Sequence, residues 1–206
     1  MRIENPVSPY FAHMVNIYGT PLEGAAVALI RQTFPDAAIQ NPNEPEHQKA
    51  YGEYARRAKE SGTTHKGMNY FYDVMLPKCD GCVSMVFLDR KMGLGVAGES
   101  KWFLERGMNV WLLAPSRGLE TAKEDIDRFI AHPTCGVFDI MPMTKGESAA
   151  LMAWQNDKAD TLPSFVVPHI ETRLRTFFVY GKNPKRPYLE AHLAPVTPPP
   201  DFYPNG

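Results

Sequence analysis

"GLGVAGESKWFLERGMNVWLL" (Gly93–Leu113) is the stretch on which the reading of the fold turns. Gly93, Gly95 and Gly98 crowd around one carboxylate, Glu99, and the apolar run "NVWLLA" follows Gly107. A glycine-rich loop, a helix stopped by glycine and then an apolar strand make half of a strand–helix repeat. The pattern predicts a helix from about Ala97 to Arg106, with Glu99 in its first turn. A helix N-terminus offers free N–H groups to an anion, and glycines let a ligand approach the backbone closely.

Working outwards, the alternation recurs. "PYFAHMV" (Pro9–Val15) reads as a first strand. Thr20, Pro21 and Glu23 then supply N-cap, N1 and N3 of a helix, a capping box with proline at its favoured position. Leu22, Ala26, Leu29, Ile30 and Phe34 recur at helical spacing behind it. Ala37–Gln40 reads as a second strand, ended by Asn41-Pro42. A polar helix over Pro45–Ser61 and an apolar one over "MNYFYDVMLPKC" lead to a third strand, "GCVSMVFLD". "NVWLLA" is the fourth strand. An amphipathic helix with Ile126, Phe129 and Ile130 on one face precedes a fifth, "GVFDIMP". This order implies an α/β doubly wound, flavodoxin- or Rossmann-like sandwich with a mostly parallel sheet of about five strands. Residues 1–142 form that domain. Residues 143–206 read as a C-terminal helical and extended extension ending in the proline-rich "APVTPPPDFYPNG".

Composition narrows the function classes. The net charge of −1 gives no basic field for nucleic acid and no polybasic segment for a membrane surface. No run of about 18 apolar residues suggests a membrane span. The N-terminus lacks the apolar core of a signal peptide, so the cytoplasm is the expected compartment. Three cysteines are too few for a disulfide scaffold. Cys79-x-x-Cys82 stands at a helix-to-strand turn, the opposite end from a thioredoxin-type motif. A zinc site would need Cys79, Cys82, His132 and Cys135 to meet; buried thiols are the simpler reading, and no metal or other cofactor is expected.

In open α/β sheets ligands sit beyond the carboxyl ends of the strands. There the first strand delivers Tyr10, His13 and a loop containing Asn16. The third delivers Asp89, and the Gly93–Glu99 segment lies beside it. "YFAH", "KCDGCVSMVF" and "GLGVAGESKWFLERGMNVWLL" together resemble the nucleoside 2-deoxyribosyltransferase family and the related nucleotide N-glycosidases. The resemblance spans about residues 8–115. Gly95 and Glu99 match the family's G-x-x-x-E, with Glu as nucleophile and Gly107 at the family spacing; Tyr10 matches its first-strand tyrosine and Asp80 its strand-opening aspartate.

The resemblance implies cleavage or transfer at the N-glycosidic bond of a nucleoside or nucleoside monophosphate, in a homo-oligomer. Glu99 would be the nucleophile, Tyr10 its orienting partner, and Asp80 or Asp89 the general acid. His13, Asn16, Asp89, Gly93 and Gly95 are the expected substrate contacts. Phe11, Tyr18, Tyr70 and Tyr72 are aromatics able to stack on a base or to pack the core. The family's acid six residues before the nucleophile is replaced here by Gly93, leaving Asp89 as its candidate substitute. A non-catalytic nucleotide-binding protein on the same fold is the competing reading. A third is a partner-binding protein that works through its proline-rich tail.

Overall fold

The computed structural model describes residues 5–14, 17–62, 69–88, 90–116, 123–155 and 162–167. In chain order the elements are β1 (Pro9–Ala12), α1 (Pro21–Thr33), α2 (Pro45–Glu60), β2 (Gly81–Met85), β3 (Met92–Gly93), α3 (Leu94–Leu104), β4 (Asn109–Pro115), α4 (Lys123–Ala131), β5 (Phe138–Pro142), α5 (Lys145–Ala153) and β6 (Val166–Val167). A π-helical turn, Phe71–Met75, runs into a 3-10 turn, Leu76–Lys78, ahead of β2. Asn16, Asp89 and residues 168–206 lie outside the described residues.

An open, mostly parallel sheet of four strands has the order β1-β2-β4-β5. β1 and β2 pair in parallel with Tyr10 opposite Cys82, and β2 and β4 pair in parallel with Cys82 opposite Val110. β5 runs antiparallel to β4. Its half-exposed residues suit an edge strand, which antiparallel pairing tolerates. Ala37–Gln40 was expected as the second of five strands. That segment instead makes a single bridge, Gln40 to Tyr10. Its bonds to β1 end where Asn41-Pro42 begins, because proline has no N–H to continue a ladder.

Alternation along the strands sorts the core into two sides. Phe11, Val83, Met85, Trp111 and Leu113 pack with Leu22, Ala26 and Ile30 of α1 and with Ile126 and Phe129 of α4. Tyr10, Cys82 and Val110 face the other way, onto Val96 and Phe103 of α3 and onto Phe71, Met75 and Leu76. Each fully buried Leu or Phe side chain contributes roughly 1.5–3 kcal/mol. Beyond residue 142 the packing continues: Leu151 and Trp154 of the α5 segment and Val166 of β6 join a cluster with Met92, Ala97 and Leu112. β6 pairs in parallel with β3. Among the described residues no helix is long and apolar enough to cross a membrane.

Three local expectations change. The capping box of α1 is half formed. Thr20 accepts from Glu23 N at 3.3 Å, but the Glu23 carboxylate turns to Gly19 N–H rather than to the N-cap. The apolar helix expected over "MNYFYDVMLPKC" is broken into π and 3-10 turns around Pro77, whose missing N–H interrupts regular bonding. Most consequentially, α3 begins at Leu94, not near Ala97, with Gly93 as its extended N-cap. The glycine-rich stretch is therefore helix. Glu99 is its sixth residue, in the second turn, and no acidic side chain stands in the first.

Candidate active site

The helix and the sheet bring Glu99 to Tyr10. The Tyr10 hydroxyl donates to Glu99 Oε1 at 2.8 Å, and both groups are buried. α3 is held at this height partly by hydroxyls. Ser100, the residue after Glu99, donates to Val96 O at 2.7 Å and meets Ser84 of β2 at 2.7 Å; Ser84 in turn meets the Cys82 thiol at 3.3 Å. Gly98 makes the third approach possible: a Cβ there would stand 2.7 Å from the Tyr72 hydroxyl.

Burial dominates the electrostatics. Removing the Glu99 carboxylate from water disfavours its charged form and pushes its pKa up to about 8; the Tyr10 bond pulls the other way and only partly offsets this. The surrounding groups answer in kind. Burial first, and the nearby Glu99 carboxylate second, hold the phenols of Tyr10, Tyr18 and Tyr72 well above their ordinary value. The Cys82 thiol is raised by burial, with Glu99 a smaller contribution. Three phenols and a thiol thus share the field of one carboxylate. Such a carboxyl is poised near neutrality, where small changes in its surroundings move it between acid and anion.

A second buried carboxylate stands on α1. Glu23 Oε1 meets His13 Nε2 at 3.2 Å and accepts from Asn41 Nδ2 at 2.9 Å. Glu23 Oε2 accepts from Gly19 N–H and from Asn43 Nδ2 at 2.8 Å. Burial alone would raise its pKa, but the bonds from His13, Asn41 and the Gly19 backbone outweigh burial and lower it. Sequence reasoning took Glu23 only as a helix cap and passed over Asn41 and Asn43. The available signal was the Asn-Pro-Asn run directly after an extended segment beside β1.

The other expected site residues fall into two groups. His13 is buried with its Nδ1 at 2.9 Å from Phe11 O and its Nε2 on Glu23, so both ring nitrogens face protein acceptors. Gly93 is buried as the N-cap of α3 and pairs with Val167. Gly95 faces open space: a Cβ there would meet nothing within 4 Å. Asp80 is not brought to Glu99. Its carboxylate accepts from Val7 N–H at 2.7 Å and Ser8 N–H at 2.9 Å, where the chain enters β1. Of the aromatics, Phe11 stacks on His13 with centroids 4.1 Å apart, and Tyr70 packs against Phe71 and Tyr54, so both serve the core.

The cysteines are free thiols. Cys79 is pushed up to about 12 by burial, with Asp80 adding to it, which leaves it protonated and unreactive. Among the described residues the group able to offer three metal ligands is Glu44, Glu46 and His47, at the start of α2, rather than the cysteines with His132. The glutamates there are 41% and 78% exposed and stand 3.9 Å from His47 Nε2, a loose arrangement for a metal centre.

Comparison with protein-family models, with curated proteins and with solved structures returned no match for this chain.

Proposed function

We propose that this chain cleaves or transfers at the N-glycosidic bond of a nucleoside or nucleoside monophosphate, with Glu99 as the nucleophile. The reading treats the sheet as the core of a doubly wound, Rossmann-like domain. Its main support is the buried Tyr10–Glu99 pair: a carboxyl held near neutrality, oriented by a phenol donating to one oxygen, on the element where the family resemblance puts the nucleophile.

The chemistry follows from those atoms. N-glycosidic cleavage passes through an oxocarbenium-like state at C1′. In its ionised form Glu99 attacks C1′ through the oxygen that Tyr10 leaves free, as the bond to the base breaks, giving a glycosyl ester. Tyr10 keeps the other oxygen fixed, so the attacking one loses little freedom on reaction. The departing base takes the bonding electrons and a proton. Water, or a second base, then attacks C1′ as the ester bond breaks, gives its proton to the group that protonated the first base, and releases the Glu99 carboxylate. With Asp80 engaged on the backbone, Asp89 is the acid that the sequence offers for protonating the base.

The competing reading is nucleotide binding without turnover. It draws on the raised pKa, which leaves Glu99 largely uncharged at neutral pH until something in the site changes its surroundings. One experiment separates the two. Purified protein and the Glu99→Ala variant are incubated with a panel of nucleosides and monophosphates, with and without an acceptor base, and products are read by liquid chromatography. Free base released by the wild type alone supports the glycosidase reading, and exchanged base makes the chain a transferase. Binding without product across the panel overturns the catalytic reading in favour of the binding one.

A further inference from the structure

Among the described residues, two side-chain hydrogen bonds tie α3 to the four-stranded sheet, and they start from consecutive residues. Glu99 accepts from the Tyr10 hydroxyl of β1 at 2.8 Å, and Ser100 meets the Ser84 hydroxyl of β2 at 2.7 Å. Tyr10 stands opposite Cys82, and Ala12 opposite Ser84. The two anchoring side chains therefore lie on one face of the sheet, one strand and two residues apart. Both serines are wholly buried.

The direction of each bond follows from the next. Ser100 Oγ donates to Val96 O at 2.7 Å, so it accepts at its contact with Ser84. Ser84 then donates to Ser100, and its own oxygen accepts from the Cys82 thiol at 3.3 Å. This run of bonds ends on a carbonyl four residues before Ser100, so it braces the turn 96–100, which carries both Gly98 and Glu99.

That turn needs a brace. Gly95 and Gly98 weaken the helix from within. Val96 and Phe103 pack on Tyr10, Cys82 and Val110, but apolar contact has no preferred direction and leaves the helix free to roll. Hydrogen bonds weaken steeply as their angles close, so they do fix direction. Successive helix residues point about 100° apart. Held at Glu99 alone, α3 can roll about that contact. Held at Ser100 as well, it cannot roll without breaking a second buried bond.

We propose that Ser84 is a positioning residue for Glu99: by holding Ser100 it fixes the roll of α3 at which the Glu99 carboxyl meets Tyr10 and keeps its other oxygen free. Its meaning for catalysis rests on the function proposed above; the alignment itself does not.

The test reads Glu99 directly. Protein with carboxyl-labelled glutamate is titrated by carbon NMR as wild type, Ser84→Ala, Tyr10→Phe and the Ser84→Ala/Tyr10→Phe pair. Ser84→Ala takes one oxygen out of the core and leaves in place Tyr10, Tyr18, Tyr72 and Cys82, the titratable groups that Glu99 influences. The Tyr10 bond favours the ionised carboxylate, so misaligning it raises the Glu99 midpoint. Ser84→Ala should raise that midpoint by about half a pH unit or more, and by less than Tyr10→Phe does. With Tyr10→Phe already in place, Ser84→Ala should add nothing. An unmoved midpoint, a lower one, or an equal displacement in both backgrounds overturns the proposal; the last two report altered burial rather than lost alignment. If Ser84→Ala does not fold, Ser100→Ala removes the same bond from the helix side and is judged by the same outcomes. Where the chain releases base, Ser84→Ala should also carry the acid limb of kcat/KM to higher pH in step with the midpoint. A chain without glycosidase activity that still shows the coupling sinks the proposed function and leaves the positioning role standing.

Discussion

Tyr10 and Glu99 meet across 89 residues of chain, the phenol donating to the carboxylate at 2.8 Å inside the protein. The bond favours the ionised carboxylate, while burial favours the acid. Hydrogen bonds to charged groups are worth about 1.5–3 kcal/mol, which corresponds to roughly one to two pH units. Tyr10→Phe should therefore raise the Glu99 pKa further above 8 by about that amount. If Glu99 is the nucleophile, kcat/KM climbs with pH as the free enzyme's carboxyl ionises, and in Tyr10→Phe that climb moves to higher pH. A pH–rate series on both proteins checks it; coincident acid limbs would show that Tyr10 does not act through Glu99.

The same carboxyl sets a pH dependence of stability. Its pKa is raised from 4.5 to about 8 on folding, so the native state holds the proton more tightly than the unfolded chain does. Its contribution is therefore complete below pH 4.5, falls as pH rises towards about 8, and is level above. The loss over that window is of the order of 5 kcal/mol. Glu99→Gln carries no such charge. It should be more stable than the wild type at pH 9 by a few kcal/mol and should lack this share of the wild-type decline between pH 5 and 8. Urea unfolding at pH 5, 7 and 9 measures both, and parallel profiles would mean that Glu99 ionises freely in the folded protein.

How much of this the sequence carried depends on the kind of signal. The strands that read as short apolar runs, and α1 with its Thr20-Pro21 start, were legible because pattern and capping chemistry agreed with the fold. α3 was legible as a helix but misplaced at its start. Each glycine disfavours helix by about 1 kcal/mol, so "GLGVAGE" reads as loop. Packing on the sheet outweighs that, and Gly98 is needed because Tyr72 leaves no room for a side chain. The Tyr10–Glu99 pairing came from a resemblance to a family rather than from periodicity, since no local rule links residues so distant. The Glu23 network was hidden for the opposite reason: a local rule, the capping box, already explained the residue.

Gly95 and Gly98 lie three residues apart on α3 and should respond in opposite ways. Gly95→Ala fills open space and should stabilise the helix by about 0.5–1 kcal/mol. Should a nucleoside approach Glu99 along this side, the same methyl weakens its binding, so a stabler protein with a higher KM is the expected signature. Gly98→Ala drives a methyl into the Tyr72 hydroxyl and should destabilise by about 1–2 kcal/mol, the overpacking cost less the helical gain. Removing that hydroxyl with Tyr72→Phe should relieve the clash. Thermal unfolding of the two single variants and the Gly98→Ala/Tyr72→Phe pair reads the coupling, and additivity would mean that the two side chains do not meet.

Asp80 separates a structural role from a catalytic one. Its carboxylate ties down Val7 N–H and Ser8 N–H at the entry to β1, and Asp80 N–H donates to Ser8 O at 3.2 Å. That is a clamp between the starts of two neighbouring parallel strands, and it leaves the carboxylate committed to the backbone. Asp80→Asn keeps one acceptor and the shape but gives up the charge-assisted character of the bonds. For a chain of this size a loss of about 1 kcal/mol lowers Tm by roughly 2–4 °C. The variant should therefore melt a few degrees earlier while keeping the pH–rate profile of the wild type. A general acid would behave differently: its removal abolishes the alkaline limb and slows substrates with poor leaving groups more than those with good ones. Calorimetry beside a pH–rate profile on Asp80→Asn distinguishes the two roles, and an unchanged Tm with a lost alkaline limb would return Asp80 to the reaction.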